Sequence, residues 1–122
     1  MDRKKILLVD DEEYIIKMNM LRMVDSNYDV ISANDGEEAL EKAEKEAPDL
    51  ILLDVVMPKM DGLQTLMKLK SNPRTSRIPV VMLSGMGEKS VLNKARISGA
   101  ADFIDKPFNA EMLLEAIKKN LA

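Results

Sequence analysis

The chain has 122 residues, 46% of them hydrophobic and 32% charged, which suits one domain with a single core and leaves no room for a second. A formal net charge of −3 creates no positive field toward nucleic-acid backbones or anionic membranes, so direct DNA binding is not expected. The absence of cysteine and histidine excludes disulfides, thiolate metal sites, cysteine nucleophiles and imidazole general bases.

The first apolar run, Ile6 to Val9, is too short for a secretory signal and is followed at once by Asp10 and Asp11. No run approaches the ~20 residues that span a bilayer, so the chain reads as cytoplasmic and unprocessed. A second strand around Tyr28 to Ala33 alternates in polarity and suits a sheet edge. Asp35 with Glu38 then resembles a capping box that opens a helix, and Glu37 to Glu46 reads as its solvated face. Leu50 to Leu53 is a third strand, with Asp61 and Gln64 as a second capping box after it. Val80 to Leu83 is a fourth strand, and the helix that follows, from about Glu88 to Ser98, stops at Gly99. Phe103-Ile104 is a weaker fifth strand, and Ala110, Leu113, Leu114, Ile117 and Leu121 form a stripe at helical spacing. Short continuous apolar runs suit strands buried on both faces. Strand and helix alternate along the whole chain, which predicts a three-layer α/β domain over residues 1–122 with right-handed crossovers and a mostly parallel sheet.

Each buried run stops at polar residues: Asp10-Asp11, Asp54, Ser84, and Asp105-Lys106-Pro107. In a parallel sheet these are all carboxyl ends, the edge where ligands bind. Carboxylates gathered there repel one another by ~4 kcal/mol per pair at ~4 Å and an effective dielectric near ~20. Lys106 offsets one charge; oxygen-only donors with surplus negative charge then favour a hard divalent cation, and magnesium suits them better than zinc or copper.

Four segments carry a resemblance. They are Ile6-Leu7-Leu8-Val9-Asp10-Asp11-Glu12, Asp54-Val55-Val56-Met57-Pro58-Lys59-Met60-Asp61-Gly62, Val80-Val81-Met82-Leu83-Ser84-Gly85, and Gly99-Ala100-Ala101-Asp102-Phe103-Ile104-Asp105-Lys106-Pro107-Phe108. In this order, over essentially the whole chain, they resemble the receiver domain of two-component response regulators, in particular the stand-alone receivers of chemotaxis. The resemblance implies a flavodoxin-like (βα)5 fold with strand order 2-1-3-4-5, which brings Asp10, Asp11 and Asp54 into one crevice. It also implies that Asp54 accepts a phosphoryl group from a histidine kinase, a histidine phosphotransfer protein or a small phosphodonor. Mg2+ would be held by Asp10, Asp11, Asp54 and the backbone carbonyl of Val56. Lys106 would pair with Asp54 at rest and with the phosphoryl oxygens afterwards, and the Lys106-Pro107 bond is a candidate cis peptide. Ser84 and Phe103 would be the switch residues, with Gly85 and Gly87 around Met86 easing the movement of the loop. Phe103 stands where the family often has tyrosine, so it can report only by packing.

Val56 and Met86 are apolar at positions where members of that family vary and where a polar side chain can assist attacking water, so the resemblance implies a long-lived phosphoaspartate. The resemblance implies an output through a downstream protein or an effector domain outside this sequence, reached through the face of the fourth helix, fifth strand and fifth helix. A monomer or a weak phosphorylation-dependent dimer is expected, although Ala101 lacks an acid common in one dimerising subfamily.

Plainer readings compete with these. An acid at a strand end often just caps a helix, and Ser84 or Phe103 alone would be loop and core residues. The methionines read as packing material, with Met18, Met20 and Met23 as a weaker candidate for a kinase-docking surface. A magnesium-dependent aspartyl-nucleophile phosphatase would carry a second acid where Val56 stands. A nucleotide or flavin binder would need a glycine-rich loop after the first strand. A receiver-like module that is never phosphorylated remains the third alternative.

Overall fold

Strand and helix alternate from Lys5 to Leu121 in the computed structural model, which describes residues 3–85 and 89–121. The elements are β1 (Lys5–Val9), α1 (Glu13–Asp25), β2 (Asp29–Ala33), α2 (Gly36–Glu46), β3 (Leu50–Asp54), α3 (Gly62–Ser71), β4 (Val80–Ser84), α4 (Lys89–Ile97), β5 (Asp102–Asp105) and α5 (Ala110–Leu121). The strands form one parallel sheet in the order β2-β1-β3-β4-β5, so the expected flavodoxin-like topology is the observed one. Among the described residues no helix is long and apolar enough to cross a membrane.

The continuous apolar runs are explained by the pleat, which sends alternate residues to opposite faces. Leu7, Val9, Ile51, Leu53, Val80 and Met82 pack with Ala39, Ala43, Leu66, Leu69 and Ala95 of α2, α3 and α4. Their neighbours Ile6, Leu8, Leu50, Leu52, Val81 and Leu83 pack with Ile16, Met23, Leu113 and Ile117 of α1 and α5. The central strands are therefore apolar throughout, while β2 and β5 carry exposed or half-buried positions as edges. Met23 belongs to this core and is fully buried, so of the three helix methionines only Met18, at 46% exposure, and the half-buried Met20 reach the surface.

Register sets the site. Val9 lies opposite both Ala33 and Leu53, Asp54 opposite Leu83, and Ser84 opposite Asp105. All the polar ends thus fall on one rim.

The helix ends follow the expected chemistry with one departure. Asp61 and Gln64 form a full capping box at α3. At α2 the Asp35 carboxylate accepts the Glu38 amide at 2.8 Å, but the Glu38 side chain lies 3.2 Å from Lys42, one turn on, and forms an ion pair there. Gly99 ends α4 with φ 107°: its amide donates to Arg96 at 3.1 Å and that of Ala100 to Ala95 at 2.9 Å, a Schellman turn.

Candidate functional site

Asp10 follows β1 and is fully buried. Its Oδ1 accepts the amide of Glu12 at 3.0 Å, while its Oδ2 has no hydrogen-bond partner among the described residues. A buried carboxylate oxygen without a donor is costly, and the plain capping role accounts for only half of this group. Asp54, 4% exposed at the end of β3, accepts at its Oδ1 from the Lys106 ammonium at 2.9 Å and, more weakly, from the Val56 amide at 3.4 Å.

Lys106 reaches Asp54 from the far side of β4 because its own amide donates to the Ser84 carbonyl at 2.6 Å, which extends the β4–β5 pairing by one residue. The Lys106–Pro107 peptide is cis. Ser84 is fully buried at the end of β4, and its Oγ, like Asp10 Oδ2, has no partner among the described residues. Phe103 is half-buried against the core face shared by Val80 and Met82, with the Arg96 guanidinium 5.7 Å above its ring centroid. Met86 and Gly87, expected to belong to the switch loop, lie outside the described residues, as does Glu88, the expected start of α4.

Charge accumulates here. Burial pushes the Asp10 carboxyl up from 3.8 to about 6; the Glu12 amide opposes the rise, the charge of Asp54 adds to it, Lys106 opposes and Asp11 adds. Burial also raises Asp54 above the usual carboxylate range, against the hydrogen bond and charge of Lys106. For Lys106, burial works against the charged form, but the hydrogen bond and charge of Asp54, with the charges of Asp10 and Glu12, hold the ammonium above its usual value. One lysine among several acids leaves a surplus of negative charge.

Among the described residues, Asp10, Asp11 and Glu12 each offer a carboxylate oxygen, and these lie within 4.8 Å of one another. Glu12 was visible only as part of a motif. Its signal in the sequence is three consecutive acids after β1, a density that one helix cap does not require. Asp54 stands beside this group with its charge felt at Asp10 and its carboxylate tied to Lys106. The donor set is oxygen throughout and contains a buried oxygen without a partner among the described residues, which fits a hard cation such as magnesium. Val56, two residues after Asp54, exposes 61% of its surface.

Gly62, too, was visible only as part of a motif. Its amide donates to the Val55 carbonyl at 2.8 Å, folding the start of α3 over the end of β3. A Cβ at this position would lie 2.2 Å from the Asp54 carbonyl oxygen and 2.7 Å from Val55 Cα, both backbone atoms that cannot step aside cheaply. Gly62→Ala is therefore expected to destabilise the domain by about 3 kcal/mol in chemical denaturation and to slow chemistry at Asp54. Unchanged stability would contradict this account of the loop.

A family model described as the response regulator receiver domain matches residues 6–118. The chain is 43% identical over 115 residues to the alkaline phosphatase synthesis transcriptional regulatory protein PhoP of Bacillus subtilis, covering 94% of this chain but only 47% of that protein. It is 40% identical over 118 residues to the chemotaxis protein CheY of the same organism, covering 96% of this chain and 97% of that protein. A solved structure of Vibrio cholerae chemotaxis protein CheY4 superposes with a TM-score of 0.92 at 33% identity, covering 98% of this chain and all of that one.

Proposed function

Because the chain belongs to the response regulator receiver domain family, we propose that it is the phosphoryl-accepting switch of a two-component system, with Asp54 as acceptor. The observation that carries this reading is the Lys106 ammonium on Asp54 Oδ1 beside the buried, half-partnered Asp10.

In the proposed step a carboxylate oxygen of Asp54 attacks phosphorus. The bond to the donor's imidazole nitrogen or acyl oxygen breaks, and the leaving group keeps that electron pair. Asp10, Asp11, Asp54 and the Val56 carbonyl would hold magnesium, which supplies positive charge for the transferring phosphoryl oxygens when bound. Lys106 leaves Asp54 for the new phosphoryl oxygens. The buried Ser84 hydroxyl, a donor without a partner among the described residues, turns to the same group, and Phe103 shifts within its half-buried site.

The phosphodonor is a histidine kinase or phosphotransfer protein. The output face is α4, β5 and α5, acting in the cytoplasm on a protein target or on an effector domain, as a monomer or a weak phosphorylation-dependent dimer. The phosphatase alternative loses ground at Val56, which offers no second acid.

Incubation with acetyl phosphate should add one phosphoryl group by intact mass when magnesium is present and none after chelation. Uptake that ignores magnesium would remove the metal from the reading. Once formed, the acyl phosphate should persist for minutes or longer, since the exposed Val56 side chain cannot orient an attacking water. Val56→Asn should shorten that lifetime several-fold in a mass time course. Loss of the wild-type label within seconds would contradict the role given to Val56.

A further inference from the structure

We propose that the open groove between α2 and α3 is a docking surface for a short acidic segment of a partner protein, an apolar side chain of which seats on Met60 and Met67. The proposal stands apart from the phosphorylation chemistry, because none of the residues assigned to that chemistry lines this groove. The groove holds about 610 Å³ and is lined by Glu37 at the start of α2, Lys59 and Met60 in the loop before α3, and Gln64, Met67 and Lys68 on one side of α3. That volume takes a few side chains of a partner. Met60 is fixed from behind, since α2 starts at the buried Gly36, where a Cβ would lie 3.1 Å from Met60 Sδ and closer still to Thr65 Oγ1. Met67 is apolar yet 53% exposed. Methionine adapts its shape to other apolar side chains and recurs at protein-binding surfaces.

Charge selects the partner. On neighbouring surfaces the ions pair off, Lys42 with Glu38 and Arg74 with Glu44. Lys59 and Lys68 have no ion-pair partner among the described residues. Two free ammoniums against the carboxylate of Glu37 leave the groove positive on a chain of net charge −3, and acidic side chains complement it.

The backbone of Lys59 is a second, independent observation. Its φ is 66°, a left-handed conformation that lysine adopts only at a cost. Asn27 and Ala47 share this conformation, but they lie just past the ends of α1 and α2, where left-handed residues close helices. Lys59 closes no helix, and glycine would take the same backbone freely. Its ammonium at the groove accounts for a lysine there.

The probe is a displayed library of random peptides selected against the wild-type domain, with binders mapped by amide chemical shifts and measured by calorimetry. Selected peptides should carry Asp or Glu beside Leu, Met or Phe, and should shift the amides of residues 59–71. Lys68→Glu should weaken them about tenfold and Lys59→Gly about threefold, while the same charge change on α5, Lys118→Glu, should alter affinity by less than about twofold. Lys59→Gly should also raise the melting temperature by about 3 °C, so that stability is gained where binding is lost. Binders without acidic residues, shifts centred on α1, α4 or α5, lysine variants that keep wild-type affinity, or a Lys59→Gly protein that melts lower would overturn the proposal. So would self-association of the domain that Lys68→Glu abolishes, because the occupant would then be a second copy.

Discussion

Without divalent cations, the stability of this domain is expected to fall as pH rises from about 4 through about 6, and Asp10→Asn is expected to abolish most of that fall. The sign follows from proton affinity. In the unfolded chain Asp10 titrates near 3.8, whereas burial in the folded state holds its proton until about 6. Below 3.8 both states carry the proton and Asp10 exerts no penalty. Between the two values the folded state binds more protons than the unfolded one, so each increment of pH destabilises it. The interval from 3.8 to about 6 is worth about 3 kcal/mol, at about 1.4 kcal/mol per pH unit. Asp54 is shifted in the same direction by burial and adds to the trend. Asp102 is depressed by Asn120, the Phe103 amide and Lys119 despite its burial, so its contribution is lost only as pH falls through its lowered value. Asn at position 10 keeps the acceptor for the Glu12 amide and deletes the buried charge, so the variant should be about 2 kcal/mol more stable at pH 7 in chelator. It should also lose its response to magnesium and most of its phosphoryl uptake. Stability gained with function lost is the signature of an acid kept at a cost for a cation; a destabilised Asp10→Asn with intact uptake would refute it.

Lys106→Met should have the opposite effect on stability and a comparable one on chemistry. Its ammonium holds Asp54 Oδ1 at 2.9 Å, with Asp54 almost wholly buried and the lysine side chain about one-third exposed, at 32%. Losing it strands a carboxylate in a poorly solvated rim, which should cost about 2 kcal/mol near pH 7. That cost should shrink on acidification, because the isolated Asp54 carboxyl then takes a proton. Phosphoryl uptake from acetyl phosphate should slow by about 100-fold, since the variant has no fixed cation for the transferring group. Lys106→Arg is expected to restore stability better than rate, because a planar guanidinium does not reproduce a compact ammonium. A Lys106→Met protein that is labelled at the wild-type rate would exclude the lysine from the reaction.

Much of the architecture was legible because burial on both faces leaves a distinctive trace. Leu50 to Leu53 is apolar at every position since alternate side chains meet different helix layers. Where each run stopped, the register of a parallel sheet carried Asp10, Asp54, Ser84 and Lys106 to one rim. Asp61 and Gly99 were readable for local reasons, one as a cap donor's partner and one as a left-handed helix end.

What escaped depended on distances between segments or on rotamer choice. Glu38 prefers Lys42 to its own cap, a competition between two nearby partners that spacing alone does not resolve. Met23 is core while Met18 is exposed, although a methionine side chain suits either place. Gly62 is required by the carbonyl of Asp54, a contact created only when α3 folds back over β3. Glu12 acquires its meaning from the extended backbone at the start of α1, which leaves its carboxylate free of the helix and beside Asp10 and Asp11.

The central claim is that Asp54 is the atom-level destination of the phosphoryl group. Its most direct test is intact-mass and peptide mapping of the wild-type domain and Asp54→Asn after incubation with acetyl phosphate and magnesium. The wild type should gain the mass of one phosphoryl group on the peptide that holds Asp54, and Asp54→Asn should gain none while keeping its melting transition. A phosphoryl group on another peptide, or equal labelling of the variant, would contradict the account.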